Sequence, residues 1–197
     1  MTYPLFLVID FEATCCDKKS IPSGHMEIIE FGVVMADGTT FQVIDEFQSF
    51  VRPIRYPRLT PFCTQLTSIS QDDVDRAPTF QNAVILFKQW LYRYDGYVFC
   101  SWGDYDLNQL RQDCDFHKIP YPINSHHLNL KKLFAEQQHL RKKPGLGEAV
   151  RLARLDFSGT HHRGIDDARN IARLLPYIFG EARLASISKD MPVPEPE

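Results

Sequence analysis

Four carboxylates and one histidine carry the chemistry this sequence has to offer. Asp10 and Glu12 follow the apolar run Pro4-Leu5-Phe6-Leu7-Val8-Ile9, Asp106 lies mid-chain in Ser101-Trp102-Gly103-Asp104-Tyr105-Asp106-Leu107, and His162 precedes Asp167 by five residues. In a strand, residues two apart share a face, so Asp10 and Glu12 point the same way while Phe11 points into the core. Two carboxylates on one face repel unless a cation lies between them. Burying them uncompensated at the end of an apolar strand would be costly. Oxygen-only ligands select hard cations, so Mg²⁺ or Mn²⁺ is expected rather than zinc or copper. An imidazole near its unperturbed pKa is largely neutral at pH 7 and can accept a proton.

These residues need elements to hold them. Leu5–Asp10 reads as a buried central strand. Glu27–Met35 and Thr40–Phe50 read as two more, with a turn at Ala36-Asp37-Gly38, together an antiparallel meander. Ile69–Ala77 carries a helix-start signal with Ser70 as cap. Phe80, Ala83, Val84, Phe87, Trp90, Leu91 and Tyr94 recur at helical spacing after the candidate cap Thr79. Tyr97–Trp102 reads as a buried strand and Asp104–Cys114 as a helix, which puts Asp106 in its first turn. Further helices are expected over Leu128–Leu140, Leu146–Leu155 and Ile165–Ile178, with Gly180 as the last stop. The pattern is α/β with a mixed sheet, three early antiparallel strands and then parallel strands, flanked by helices. Residues 1–185 are expected to form one domain. The Pro- and Glu-rich end, 186–197, has too little apolar content to pack.

The motifs resemble those of the DEDDh 3′–5′ exonucleases, a branch of the RNase H-like superfamily. The first reads Asp10-Phe11-Glu12-Ala13-Thr14, the second ends in Tyr105-Asp106, and the third is His162-x4-Asp167. Glu27-Ile28-Ile29-Glu30-Phe31, Thr60-Pro61-Phe62-Cys63-Thr64-Gln65-Leu66-Thr67 and Gly164-Ile165-Asp166-Asp167-Ala168-Arg169-Asn170-Ile171-Ala172 narrow the resemblance to the Eri-type exoribonucleases. The similarity runs from about Phe6 to Leu175. It implies an RNase H-like fold and two Mg²⁺ ions, with Mn²⁺ able to substitute. Asp10 would bridge the ions, Glu12 and Asp167 would complete one site, and Asp106 would support the other directly or through water. His162 would be the general base; Glu12 and His162 would also contact substrate. Pro61–Thr67 resembles the segment that holds the terminal nucleotide, with Phe62 and Leu66 as an apolar platform and Thr67 reaching the sugar. Ala13 and Thr14 would approach the same nucleotide through backbone groups. The family spacing favours His162 over His161, and its aromatic-Asp-aliphatic pattern favours Asp106 over Asp104, which is left as a helix cap. Of Asp166 and Asp167, about 100° apart on a helix, only one can face the metals.

The bulk numbers fit this reading. A chain of 197 residues, 44% hydrophobic and 24% charged, is long enough for a substantial core. Five cysteines and no apolar run long enough to span a bilayer point to reduced thiols and a cytoplasmic protein without membrane contact. Cys15 and Cys16, with His25 nearby, lack a second ligand pair and read as ordinary thiols rather than a zinc site. A net charge of −3 argues against wrapping duplex nucleic acid but not against a nuclease whose cations reverse the local sign. Arg52, Arg55 and Arg58, Lys131 and Lys132, and Arg141, Lys142 and Lys143 are candidate phosphate contacts only where they flank the carboxylates. The first motif starts within ten residues of the N-terminus, so substrate capture is expected to rest on this domain or on a partner. The expected activity is 3′–5′ removal of nucleoside 5′-monophosphates from single-stranded RNA or short overhangs. A proofreading-type DNA exonuclease and a catalytically silent RNA-binding module are the alternatives.

Overall fold

The run Leu5–Ile9 forms the middle of a five-stranded sheet. The computed structural model describes residues 3–18 and 20–185; the expected tail, 186–197, lies outside the described residues. The strands are β1 (Leu5–Ala13), β2 (Ile28–Asp37), β3 (Val43–Phe50), β4 (Tyr97–Ser101) and β5 (His127–Asn129), in the order β3-β2-β1-β4-β5. β1 pairs antiparallel with β2, and β2 with β3; β1 pairs parallel with β4, and β4 with β5. This is the mixed sheet that the sequence predicts, with β1 at its centre.

Eight α-helices are described: α1 (Pro61–Thr67), α2 (Gln71–Asp75), α3 (Phe80–Leu91), α4 (Tyr105–His117), α5 (Leu130–Gln137), α6 (Leu146–Leu152), α7 (Gly164–Arg173) and α8 (Leu175–Ile178). The two-residue period of β1 divides the core. Phe6 and Val8 pack with Val34, Ala36 and the inner faces of α5 to α8, while Leu7, Ile9 and Phe11 pack with Phe31, Val33 and the inner faces of α3 and α4. Asp10 and Glu12 continue the first row, so that row turns acidic at the C-terminal end of β1.

Local chemistry sets the element ends. α3 starts at Thr79, whose hydroxyl accepts from Asn82 N, and α2 carries a reciprocal capping box between Ser70 and Asp73. β2 runs to Asp37 rather than stopping at Met35, because the Asp37 carboxylate accepts from Thr39 N and Thr40 N and makes the turn itself. β3 therefore starts at Val43, later than Thr40. The expected helix from Leu128 begins at Leu130, since residues 127–129 pair with β4 as β5. The expected helix Ile165–Ile178 is two, α7 and α8, with Pro176 in the first turn of the second. Proline has no N–H to donate and its ring crowds the carbonyl four residues back.

Two glycines seat α7 on the sheet. A Cβ on Gly32 of β2 would fall 1.9 Å from the Gly164 carbonyl carbon, and one on Gly164 would fall 2.7 Å from Asp10 O. Backbone meets backbone there, and the first turn of α7 lies directly on Asp10.

Candidate active site

Pairing between β1 and β4 stops at Val8–Cys100, which leaves the edge of β1 open beyond that point. The Asp106 carboxylate fills the gap, its Oδ1 accepting from Phe11 N at 2.8 Å. Asp106 is buried in the first turn of α4, which starts just after β4. Asp104 does not serve as the expected side-chain cap. Its backbone at φ −109°, ψ 0° lacks the extended geometry of a capping residue; it makes no cap bond and its carboxylate lies 3.8 Å from His127 Nδ1.

Asp10, Glu12 and Asp167 each bring a carboxylate oxygen to within 4.8 Å of the others. Asp166 turns away, accepting from Thr160 N at 2.9 Å and from Arg169 at 2.9 Å. Burial, added to by the neighbouring carboxylates, pushes Glu12 up to about 9 and Asp10 well above the carboxylate range. Burial likewise pushes Asp167 up to about 7 and Asp106 to about 6. Asp167 Oδ2 accepts from His162 N at 3.1 Å, while Oδ1 is buried with no hydrogen-bond partner. A buried orphan oxygen beside two more carboxylates needs a proton or a cation. The oxygen-only set fits a hard divalent ion.

His162 is half-buried on the loop entering α7, in the left-handed region at φ 63°. Burial, and then the neighbouring His161, lower its pKa, so its ring is held neutral near pH 7. His161 is exposed, its ring 4.0 Å from that of His162.

The fixing of this loop was not read from the sequence. Glu30, the cross-strand partner of Glu12, is fully buried. It accepts from Gly164 N at 3.0 Å, from Arg163 Nε at 3.2 Å and Nη2 at 3.3 Å, and from Gln48 Nε2 at 2.6 Å. Arg163 thus offsets part of the charge of a glutamate that still helps to raise Glu12, and the bond to Gly164 N ties the start of α7 to the sheet. A glutamate inside the apolar strand Ile28–Ala36 was the available signal. Glu27 does similar work, accepting from the backbone of Ile54, Arg55 and Tyr56.

The segment 61–67 is a helix, α1, stapled to the end of β1. Thr60 Oγ1 donates to Cys15 O at 2.7 Å while capping Cys63 N, and Cys63 Sγ lies 3.7 Å from Ala13 O. Phe62 is exposed and Leu66 half-buried, so both are open to a ligand. Thr67 differs from expectation. It is fully buried and its hydroxyl donates to Cys63 O and accepts from Ile69 N, which commits it to the helix rather than to a sugar. Thr14 is committed too: its N–H donates to Glu27 O and its hydroxyl accepts from Glu27 N. Ala13 is buried beside it. Tyr105, next to Asp106, is 47% exposed and gives the site a second aromatic that the sequence reading passed over.

Residues 7–175 match the family model described as Exonuclease (RNase_T). The chain belongs to the exonuclease family. It is 36% identical over 182 residues to human "ERI1 exoribonuclease 3" and 33% identical over 183 residues to human "3'-5' exoribonuclease 1". These matches cover 88% and 87% of this chain but 53% and 51% of the relatives, so it spans about half their length. The fold matches the nuclease domain of 3'hExo, described as a DEDDh family member bound to rAMP, with a TM-score of 0.82 and 31% identity over 91% of this chain and 93% of that one. A further 3'-exonuclease structure, described as recognising a histone mRNA stem-loop, gives a TM-score of 0.81 at 28% identity, covering 98% of this chain and 73% of that one. The exonuclease fold here is therefore RNase H-like. A divalent-metal site is what the family and the acidic cluster both imply.

Proposed function

We propose that this exonuclease removes nucleotides from the 3′ end of single-stranded RNA or short overhangs, releasing nucleoside 5′-monophosphates. The observation that carries the reading is the convergence of Asp10, Glu12 and Asp167 within 4.8 Å, beside Asp106 and with His162 tied to Asp167. Asp10, Glu12, Asp106 and Asp167 would hold two Mg²⁺ ions, with Mn²⁺ as substitute. When bound, such ions stabilise charge on the attacking and leaving oxygens of an in-line displacement at phosphorus. His162, neutral at its ring, accepts the proton of the attacking water; the water oxygen bonds to phosphorus and the departing ribose 3′-oxygen ends protonated. Phe62, Leu66 and Tyr105 border the site with apolar surface on which terminal bases can stack, worth roughly 1–3 kcal/mol per base. Thr67 and Thr14 act from beneath, by holding α1 and the end of β1 in place.

RNA is favoured over DNA because the relatives sharing a third of this sequence are named exoribonucleases and the matching nuclease domain was captured with rAMP. Among the described residues no helix is long and apolar enough to cross a membrane. With free thiols at all five cysteines, we place residues 1–185 in the cytoplasm as one working domain.

The test uses matched 5′-labelled RNA and DNA oligomers with Mg²⁺, Mn²⁺ or EDTA. We expect a ladder shrinking from the 3′ end of RNA, 5′-monophosphate products and no reaction in EDTA. Asp10→Ala, Glu12→Ala, Asp106→Ala and Asp167→Ala should each nearly abolish it, while Asp104→Ala keeps most activity. Cleavage of a circular RNA by the pure protein, or a full rate in EDTA, would overturn the proposal.

A further inference from the structure

The exonuclease reading uses one histidine of the pair and leaves the other without a task. The ring nitrogens of His161 bond to no described residue; its ring meets that of Phe157, edge-on at 5.1 Å, and that of His162 at 4.0 Å. His161, His162 and Asp167 nevertheless each place a ligand atom within 4.8 Å of the other two. Asp167 contributes a buried oxygen that has no hydrogen-bond partner, and His161 is exposed, which gives an ion a way in.

We propose that His161, His162 and Asp167 form a second metal site, selective for a zinc-type transition ion, whose occupancy switches the nuclease off. The donor set decides the selectivity. Two imidazoles and a carboxylate suit zinc, whereas the oxygen-only group of Asp10, Glu12 and Asp167 suits magnesium. Ligands about 2.0–2.2 Å from a tetrahedral zinc lie roughly 3.4 Å from one another, so the site closes by a modest turn of the exposed His161 ring. Three protein ligands leave the fourth position to water or a phosphate oxygen.

Occupancy removes function in two ways. A His162 nitrogen that ligates the ion has no lone pair left for the proton of water. Asp167 belongs to both groups, so the zinc-type ion draws it away from the Asp10–Glu12 pair. Inhibition rests on the proposed nuclease reading; binding does not.

The test separates the two. Wild-type protein and His161→Phe, which keeps a ring against Phe157 and His162 but has no ring nitrogen, are titrated with Zn²⁺ in excess Mg²⁺. Binding is followed by calorimetry and by the ¹⁵N resonances of labelled histidine rings, and RNA cleavage is read in parallel. We expect Zn²⁺ to shift both ring systems in the wild type, and to inhibit it. His161→Phe should cleave RNA in Mg²⁺ at close to the wild-type rate. It should need at least about tenfold more Zn²⁺ for binding and inhibition, since even partners one shell further out change metal affinity by roughly 10–100-fold. Equal Zn²⁺ affinity in the two proteins, or wild-type rings that do not respond, would overturn the site. A protein that binds Zn²⁺ through both rings but cleaves nothing in Mg²⁺ would leave the site standing and sink the nuclease reading instead.

Discussion

His162 combines three properties that a base at this position needs: a ring held neutral by burial, an amide anchored to Asp167, and a backbone in the left-handed region that aims it. His162→Ala should lower the single-turnover rate by roughly 10²–10⁴-fold. Mg²⁺ affinity, read by calorimetry, should barely change, because the imidazole is no ligand in the oxygen-only set. A near-normal rate would remove the histidine from the mechanism. Away from the site, Asp113 makes a prediction of its own. Burial pushes its carboxyl up to about 7 from 3.8, although Ile28 N and Gln109 both donate to it. The folded protein therefore holds a proton that the unfolded chain releases. Its contribution to stability is full below about pH 4 and is lost as pH rises to about 7. Asp113→Asn should flatten the fall in Tm over that window and raise Tm at pH 8 by at least about 2 °C. An unchanged slope in thermal melts would show that Asp113 ionises freely.

The most exacting contact between elements is the seating of α7. Gly32→Ala would drive a methyl into the Gly164 backbone, and something must shift. α7 carries Asp167 and its entry loop carries His162, so the variant should lose stability and activity together. A protein of normal Tm and normal rate would contradict the packing described here. This contact was not legible in the sequence, because Gly32 and Gly164 are far apart along the chain and neither has a side chain to pattern. The strands and helices that could be read were those with long periodic faces: β1 through its apolar run, α3 through Phe80, Ala83, Val84, Phe87, Trp90 and Leu91. β5 escaped because three half-buried residues, His127, Leu128 and Asn129, show no alternation. α1 escaped because its exposed Phe62 and half-buried Leu66 break the usual burial pattern. The five residues of the acidic motifs were legible as types in order; their meeting at the end of β1 follows from a topology that composition does not encode. The commitments of Thr14 and Thr67 were not readable either, since a hydroxyl's partner is set by the fold around it.

At the scale of the molecule, a net charge of −3 means that, on the proposed function, attraction for RNA must be local. Arg55 is occupied, stacked 3.4 Å over Phe116 and donating to Gly24 O. Arg141, Lys142 and Lys143 are exposed and form no ion pair among the described residues. Their loop is moored near the second motif, where Trp102 Nε1 donates to Pro144 O at 3.2 Å. Replacing Lys142 and Lys143 by Ala should weaken RNA binding in Ca²⁺ and reduce the salt slope of log K by up to about 1.4, or about 0.7 per lost phosphate contact on a single strand. An unchanged slope, by fluorescence anisotropy, would send the strand across another face.

The sheet order β3-β2-β1-β4-β5 has one more consequence. From β1 the chain winds first to one side, through β2 and β3, and then crosses to the other, through β4 and β5. In open sheets of this kind, ligands gather in the crevice outside the carboxyl ends of the strands, where the winding reverses. Here that crevice has a floor of β1 and α7, with α1 stapled to the end of β1 as one bank and the 138–145 loop moored to Trp102, just past β4, as the other. On the proposed function the floor would meet only a phosphodiester at a chain end, whatever polymer lies behind it. Rebuilding a bank would then redirect the same scissors to a different strand without recutting the blades.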